Sequence, residues 1–189
     1  MYDAIIIGAG SVGTPTAMSL ASRGIRTLVI DSQSSSGQGN NKCAIGGVRA
    51  THGEPAKVAL SLQSIETFST WQEKHGEDIG WHPGGYTFVA YTEPIADSLR
   101  SMIPSQQRAG LNIRWCSPGE IMEIVPGINP RGLLGGTHSP EDGSASPMES
   151  SYAFHRLAVK NGALFRFRET VRSITRAGGF TVETDRGTY

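Results

Sequence analysis

The chain has 189 residues, enough for one ordinary domain or for one domain and part of another. Hydrophobic residues make up 38% and charged residues 18%, a balance that can bury a core and that excludes wholesale disorder. Lys plus Arg and Asp plus Glu stand at 17 each, so the chain lacks the basic surface that a nucleic-acid partner requires. Cys43 and Cys116 are far apart. Two such cysteines make no disulfide framework and fit a reducing, cytoplasmic setting. The first apolar run ends at Gly8, too short for a signal peptide or a transmembrane segment.

Residues 2–7 are short, apolar and rich in isoleucine, which predicts a strand buried on both faces of a parallel sheet. Residues 11–23 carry Val12, Ala17, Leu20 and Ala21 at helical spacing, with Pro15 in the first turn and Gly24 as the stop. Residues 26–30 form a second apolar strand, completing a βαβ unit. Residues 32–47, rich in Ser, Gly and Asn, read as a long loop. A helix is expected over 55–75, with Val58, Leu62, Ile65 and Phe68 on one side and Gly76 after it. A strand over 85–91, a helix over 95–109 and a strand over 112–116 follow.

Ser117-Pro118-Gly119-Glu120 and Ser146-Pro147-Met148-Glu149 both have capping-box spacing. They predict helices to about residue 125 and to residue 160, the second closed by Gly162. Residues 163–168, 171–175 and 180–184 read as strands, with a turn at Asp185-Arg186-Gly187. No internal repeat or linker is evident. The three tryptophans, Trp71, Trp81 and Trp115, read as packing residues.

Gly8-Ala9-Gly10-Ser11-Val12-Gly13 is G-x-G-x-x-G. It follows a predicted strand and opens a predicted helix, and Asp31 closes the next strand, so the full dinucleotide-binding context is present. Gly8 permits the turn, Gly10 lets the backbone approach a pyrophosphate, and Gly13 lets helix and strand pack closely. The first-turn N–H groups and the helix dipole meet the negative charge. An acid at position 31 suits a free ribose 2′-hydroxyl and disfavours NADP. The plain alternative is a glycine-rich turn without a ligand. The fingerprint alone leaves NAD and FAD open.

Gly37-Gln38-Gly39-Asn40-Asn41-Lys42-Cys43-Ala44-Ile45-Gly46-Gly47-Val48-Arg49 follows the ribose acid. A Gly/Ser-rich stretch ending in Gly-(Ile/Val)-Arg resembles the D-amino-acid-oxidase-like flavoproteins, nearest to sarcosine oxidase beta subunits, proline dehydrogenase beta subunits and glycine oxidases. The resemblance continues in Gly85-Tyr86-Thr87-Phe88, in Glu120-Ile121-Met122-Glu123-Ile124-Val125-Pro126, and in His138-Ser139-Pro140-Glu141-Asp142-Gly143 followed by Ser146-Pro147. It covers essentially the whole chain.

That resemblance implies an α/β fold: a Rossmann-like FAD-binding βαβ unit with a parallel sheet, plus part of an inserted β-rich substrate-binding layer. It implies a discontinuous FAD-binding domain over 1–84 and 147–189, with 85–146 facing the substrate. It implies FAD contacts at Gly8, Gly10, Ser11, Val12, Gly13, Asp31, Ser32, Gly39, Asn40, Asn41, Lys42, Gly47 and Val171. The implied activity is oxidation of a secondary amine or amino acid of the sarcosine, glycine or proline type to an imine. Alternatives are a non-catalytic FAD-binding module and an FAD-dependent hydroxy-acid or glycerol-3-phosphate oxidoreductase.

Asn40 and Asn41 stand where the family usually has Ser or Thr, and Asn can also bond pyrophosphate or ribityl oxygens. Some relatives carry the flavin on a histidine in this loop; here no His is present, so FAD is expected to be non-covalent. A Cys43 thioether is the second reading, and a small buried apolar residue the plain one.

Arg49 is the first candidate near the flavin or a substrate carboxylate, because a guanidinium holds a carboxylate with two parallel bonds; a loop salt bridge is the plain alternative. His52 and Tyr86 are further pocket candidates, against an exposed loop histidine and a half-buried strand tyrosine. His138 ranks below them, and Asp142 reads as part of a turn. No metal site is expected. A small amine or amino acid, and a separate electron-transfer subunit, are the expected partners. Family members continue past the last strand here, so residues 1–189 are expected to be the N-terminal part of a longer chain. An exposed sheet edge would then favour self-association.

Overall fold

The computed structural model describes residues 1–189. The chain forms two compact units, one made of residues 1–46 and 146–189, the other of residues 47–145. The expected boundary after residue 84 therefore differs from the packing boundary, which falls after Gly46. The segment from 47 to 84 joins the second unit because its helix buries Val58 and Ile65 with Leu111 and Ile113.

In the first unit, β1 (Ala4–Ile7), β2 (Thr27–Asp31) and β8 (Leu164–Phe167) form a parallel sheet in the order β1-β2-β8. The central strand β2 is buried from Thr27 to Ile30. Its side chains alternate between two clusters, as the period of a strand dictates. Val29 packs with Ala17 and Ala21 of α1 (Gly13–Ala21) and Ala158 of α6 (Pro147–Lys160). Leu28 and Ile30 face Val171 and Val182 from the hairpin of β9 (Val171–Arg176) and β10 (Phe180–Thr184). Alanines at the contact of α1 and α6 let the two helices approach closely.

The expectation that the first strand is buried on both faces is corrected. β1 has a neighbour on one side only, its residues are half-buried, and Ile7 is 54% exposed. The helix starts and stops follow the sequence signals: Gly24 and Gly162 carry φ of 76° and 96°, the left-handed conformation that ends a helix. Ser146 caps α6 through its side chain, accepting from the Glu149 N–H at 3.2 Å.

In the second unit, β4 (Tyr86–Ala90), β6 (Gly135–Ser139) and β5 (Arg114–Cys116) form an antiparallel sheet with β6 in the centre. Helix α4 (Glu93–Arg108) links β4 to β5, and α5 (Pro118–Ile124) links β5 to β6. Ser117 and Glu120 complete a full capping box on α5. The helix expected over 55–75 is two helices, α2 (Pro55–Ser69) and α3 (Trp71–His75), broken at Thr70. β3 (Gly47–Val48) pairs with β7 (Gly143–Ser144). This unit holds four helices and two small sheets, of which α2 and α3 precede residue 85. No helix is long and apolar enough to cross a membrane.

Candidate functional site

The glycine loop is shaped by what each glycine touches. Gly8 sits at φ 100° and its N–H donates to the Ile30 carbonyl at 2.8 Å, turning the chain out of β1. A methyl group on Gly13 would lie 1.8 Å from the Gly8 carbonyl oxygen, so only glycine lets α1 start this close to the strand. A methyl group on Gly10 would meet nothing within 4 Å, so its space is open to a ligand. The N–H groups of Ser11, Val12 and Gly13 have no protein acceptor, and no acidic residue lies in the first turn of α1. Free amides at the positive end of a helix suit an anion.

Asp31 holds this loop. One carboxylate oxygen accepts from the Ala9 N–H at 2.6 Å and the other from the Gln33 N–H at 2.7 Å. Each oxygen keeps a lone pair for a further donor such as a ribose hydroxyl. Ser32, Gly39, Asn40 and Lys42 are exposed, and Asn40 to Cys43 form a 3-10 turn within the expected loop. The Asn41 side-chain amide is committed to α6, donating to the Pro147 carbonyl at 2.6 Å and to Ser151 Oγ at 2.7 Å; its side-chain oxygen remains an acceptor. Cys43 is exposed, which corrects its reading as a small buried residue. Val171 opens β9 and packs beside Leu28 and Ile30.

The sequence reading missed Ser36. It is fully buried and its hydroxyl has no partner, next to Gly37, whose N–H donates to the Ala9 carbonyl at 2.9 Å. Serines are so frequent in this stretch that nothing in the sequence distinguished this one.

In the second unit Arg49 stands over Tyr86, and Arg49 and His52 line one cleft that Tyr86 does not. The Arg49 guanidinium lies over the rings of Tyr86 and Phe88, 5.7 and 5.2 Å from their centroids, and donates to the Thr51 carbonyl. Gly47 is placed where a methyl group would be 3.3 Å from the Tyr86 ring. Arg49 and His52 line a cleft of about 300 Å³ with Phe88, Leu99, Met102 and Gln106. Gln106 donates to the His52 carbonyl at 3.0 Å, which orients the amide, and its buried side-chain oxygen has no partner.

Asp142, read as part of a turn, is fully buried and accepts from the Ala50 N–H at 3.0 Å and the Thr51 hydroxyl at 3.4 Å. Burial pushes its carboxyl above the ordinary range, against the lowering effect of those bonds. His138 does not line the cleft; it pairs with the Thr87 hydroxyl at 3.1 Å, and burial lowers its pKa. No group of metal-ligating side chains is present.

The sequence profile of a family described as DAO, FAD dependent oxidoreductase, matches residues 3–189. This chain belongs to that family. Among individual relatives, glycine oxidase from Geobacillus kaustophilus is 28% identical over all of the chain and 52% of its own length. Dimethylglycine dehydrogenase from Mus musculus is 27% identical over 98% of the chain but only 22% of its own length. In three dimensions the chain resembles L-proline dehydrogenase from P. horikoshii with a TM-score of 0.93, at 26% identity over 99% of this chain and 50% of that one. The chain thus spans about half the length of the glycine oxidase and about a fifth of the dehydrogenase.

FAD fits the residues present. The open face of Gly10, the free first-turn amides and the orphaned Ser36 hydroxyl all offer space or donors to a phosphate-bearing ligand.

Proposed function

We propose that the protein takes part in the FAD-dependent oxidation of a small amine or amino acid, removing a hydride equivalent and a proton across a C–N bond to leave an imine that water hydrolyses. The free amides at the open glycine loop carry this reading, together with the family membership. Gly8, Gly10, Ser11, Val12, Gly13, Asp31 and Ser32 would hold the adenosine diphosphate half, with Val171 beside it. Gly39, Asn40, Asn41, Lys42 and Gly47 would complete the contacts. FAD, when bound, supplies the hydride acceptor. Its binding is non-covalent in this reading, since no histidine stands between Gly37 and Arg49.

Arg49 anchors the substrate carboxylate with two parallel bonds. It contacts aromatic rings and a carbonyl and forms no ion pair with an acid, although the Asp142 carboxyl feels its charge. His52 and Tyr86 shape the same region. A separate subunit that accepts electrons, self-association through the one-sided β1 edge, and a cytoplasmic location consistent with two free cysteines belong to the same reading.

The test is a visible spectrum of the purified chain after addition of FAD and desalting. A retained flavin band that bleaches anaerobically with sarcosine, glycine or proline supports the proposal. A chain that ignores FAD refutes cofactor binding by these residues. A second reading rests on the half-length span: a dinucleotide-binding module without a complete active site. It predicts a retained flavin that none of the amines, nor a 2-hydroxy acid, bleaches.

A further inference from the structure

We propose that Asp142 is a positioning residue: its buried carboxylate fixes Ala50 and Thr51, and through them the direction of the Arg49 guanidinium. The functional consequence rests on the reading of Arg49 as the carboxylate anchor; the geometry does not.

An arginine side chain has many rotamers, and ordering it costs conformational entropy. An anchor that meets a planar carboxylate must therefore be held in advance. Three contacts hold Arg49: two ring faces and the Thr51 carbonyl. The carbonyl is the directional one, since it receives a guanidinium N–H, and its place depends on the backbone at Ala50 and Thr51.

That backbone lies just beyond the two-residue strand β3. What fixes it comes from a distant part of the sequence. The Asp142 oxygens take the Ala50 N–H and the Thr51 hydroxyl, one each, so a single carboxylate grips two consecutive residues. Asp142 is itself clamped. Its carbonyl accepts from the Gly85 N–H at 2.8 Å, and the next residue, Gly143, pairs with Val48. Gly143 has no room for a side chain: a methyl group there would lie 2.4 Å from the His82 carbonyl oxygen.

A carboxylate with no exposure is an expensive choice for a turn. The requirement here is one side chain that meets the Ala50 N–H and the Thr51 hydroxyl at once. Asparagine could do so by accepting from the first and donating to the second, whereas an apolar side chain holds neither. Asp142 thus does for Arg49 what outer-shell partners do for metal ligands: it orients a group that it does not touch.

The experiment uses the whole chain in 15N–1H NMR. Arg49 side-chain signals, assigned with Arg49→Lys, carry a ring-current shift from Tyr86 and Phe88. Asp142→Ala should abolish that shift in a chain that still melts cooperatively, Asp142→Asn should keep it, and Thr51→Val, which loses one of the two bonds, should reduce it. A folded Asp142→Ala chain with the full shift overturns the proposal. Should that variant fail to fold, an unchanged shift in Thr51→Val overturns it equally. Sodium propanoate, titrated into the parent and into Arg49→Gln, reads the anchor separately. Equal or absent binding in both counts against the anchor reading and leaves the positioning of Arg49 to be decided by the ring-current result.

Discussion

Replacing Gly13 by alanine tests the packing that builds the dinucleotide loop. The added methyl would stand 1.8 Å from the Gly8 oxygen, 3.0 Å from its carbonyl carbon and 3.3 Å from an Ile6 methyl. To reach even 3.0 Å from the oxygen, helix and strand must part by about 1.2 Å. Neither side yields easily, because the contact is with main chain and Gly8 is tied to Ile30. Overpacking usually costs about 1–3 kcal/mol, and a clash with backbone belongs at the top of that range. At roughly 2–4 °C per kcal/mol for a chain of this size, the melting temperature should fall by about 6–12 °C.

The matched control is Gly10→Ala, whose methyl meets nothing within 4 Å. It should melt within a few degrees of the parent, yet lose FAD, because the methyl occupies the ligand's space. Thermal unfolding by circular dichroism and flavin retention after desalting read the two effects. A Gly13→Ala chain that melts within about 2 °C of the parent would refute the packing argument.

Other outcomes follow from single groups. Bonds from the Ser117 N–H and hydroxyl, with Arg114 beside them, hold Glu120 down from 4.5 to about 2. Because the folded value is the lower one, its stabilisation is complete above pH 4.5 and fades as pH falls toward 2. Glu120→Gln should therefore flatten the acid dependence of the urea midpoint across that window; an unchanged slope removes Glu120 as its source. Cys43 is exposed, whereas Cys116 is buried and burial pushes its thiol up. One thiol should react with a colorimetric disulfide reagent in the native chain and both in denaturant; rapid reaction of both in buffer would contradict the packing around Cys116. Gln106→Met removes a buried oxygen without a partner along with one bond to His52. These effects oppose each other, so stability should change by less than about 1.5 kcal/mol in urea unfolding.

The first unit was largely legible in the sequence because its signals are local. Isoleucine-rich strands, the glycine fingerprint and a stop glycine each announce themselves within a few residues, and Asp31 stands where that pattern requires. β6 escaped notice because Gly135-Gly136-Thr137-His138-Ser139 has no apolar alternation. It is a central strand by virtue of its neighbours: a methyl on Gly136 would fall 2.4 Å from the Phe88 carbonyl oxygen, so the glycine answers a close approach rather than a turn. The break at Thr70 lies inside a continuous helical pattern, and Trp71, almost fully buried, begins the second helix. The boundary at Gly46 follows from where α2 buries its apolar side, which no local pattern specifies. The turn at Asp142 was legible, but its buried role was not, for the same reason. Pro-x-Asp-Gly is turn chemistry, and its partners Ala50 and Thr51 are remote in sequence.

The antiparallel pairing of β3 with β7 has a kinetic consequence. β2 and β8 must find each other across a loop of about 130 residues, a slow closure for an unfolded chain. The second unit is continuous in sequence, and β3 and β7 lie at its two ends. Once it has folded, only about 30 flexible residues separate the two strands, two halvings of the loop, which lowers the closure cost by about 1.2 kcal/mol. Folding of the inner segment should thus precede assembly of the parallel sheet and speed it roughly eightfold. Loosening the β3–β7 clasp would then show first as slower refolding of the cofactor-binding half, even though no residue of that half had been changed.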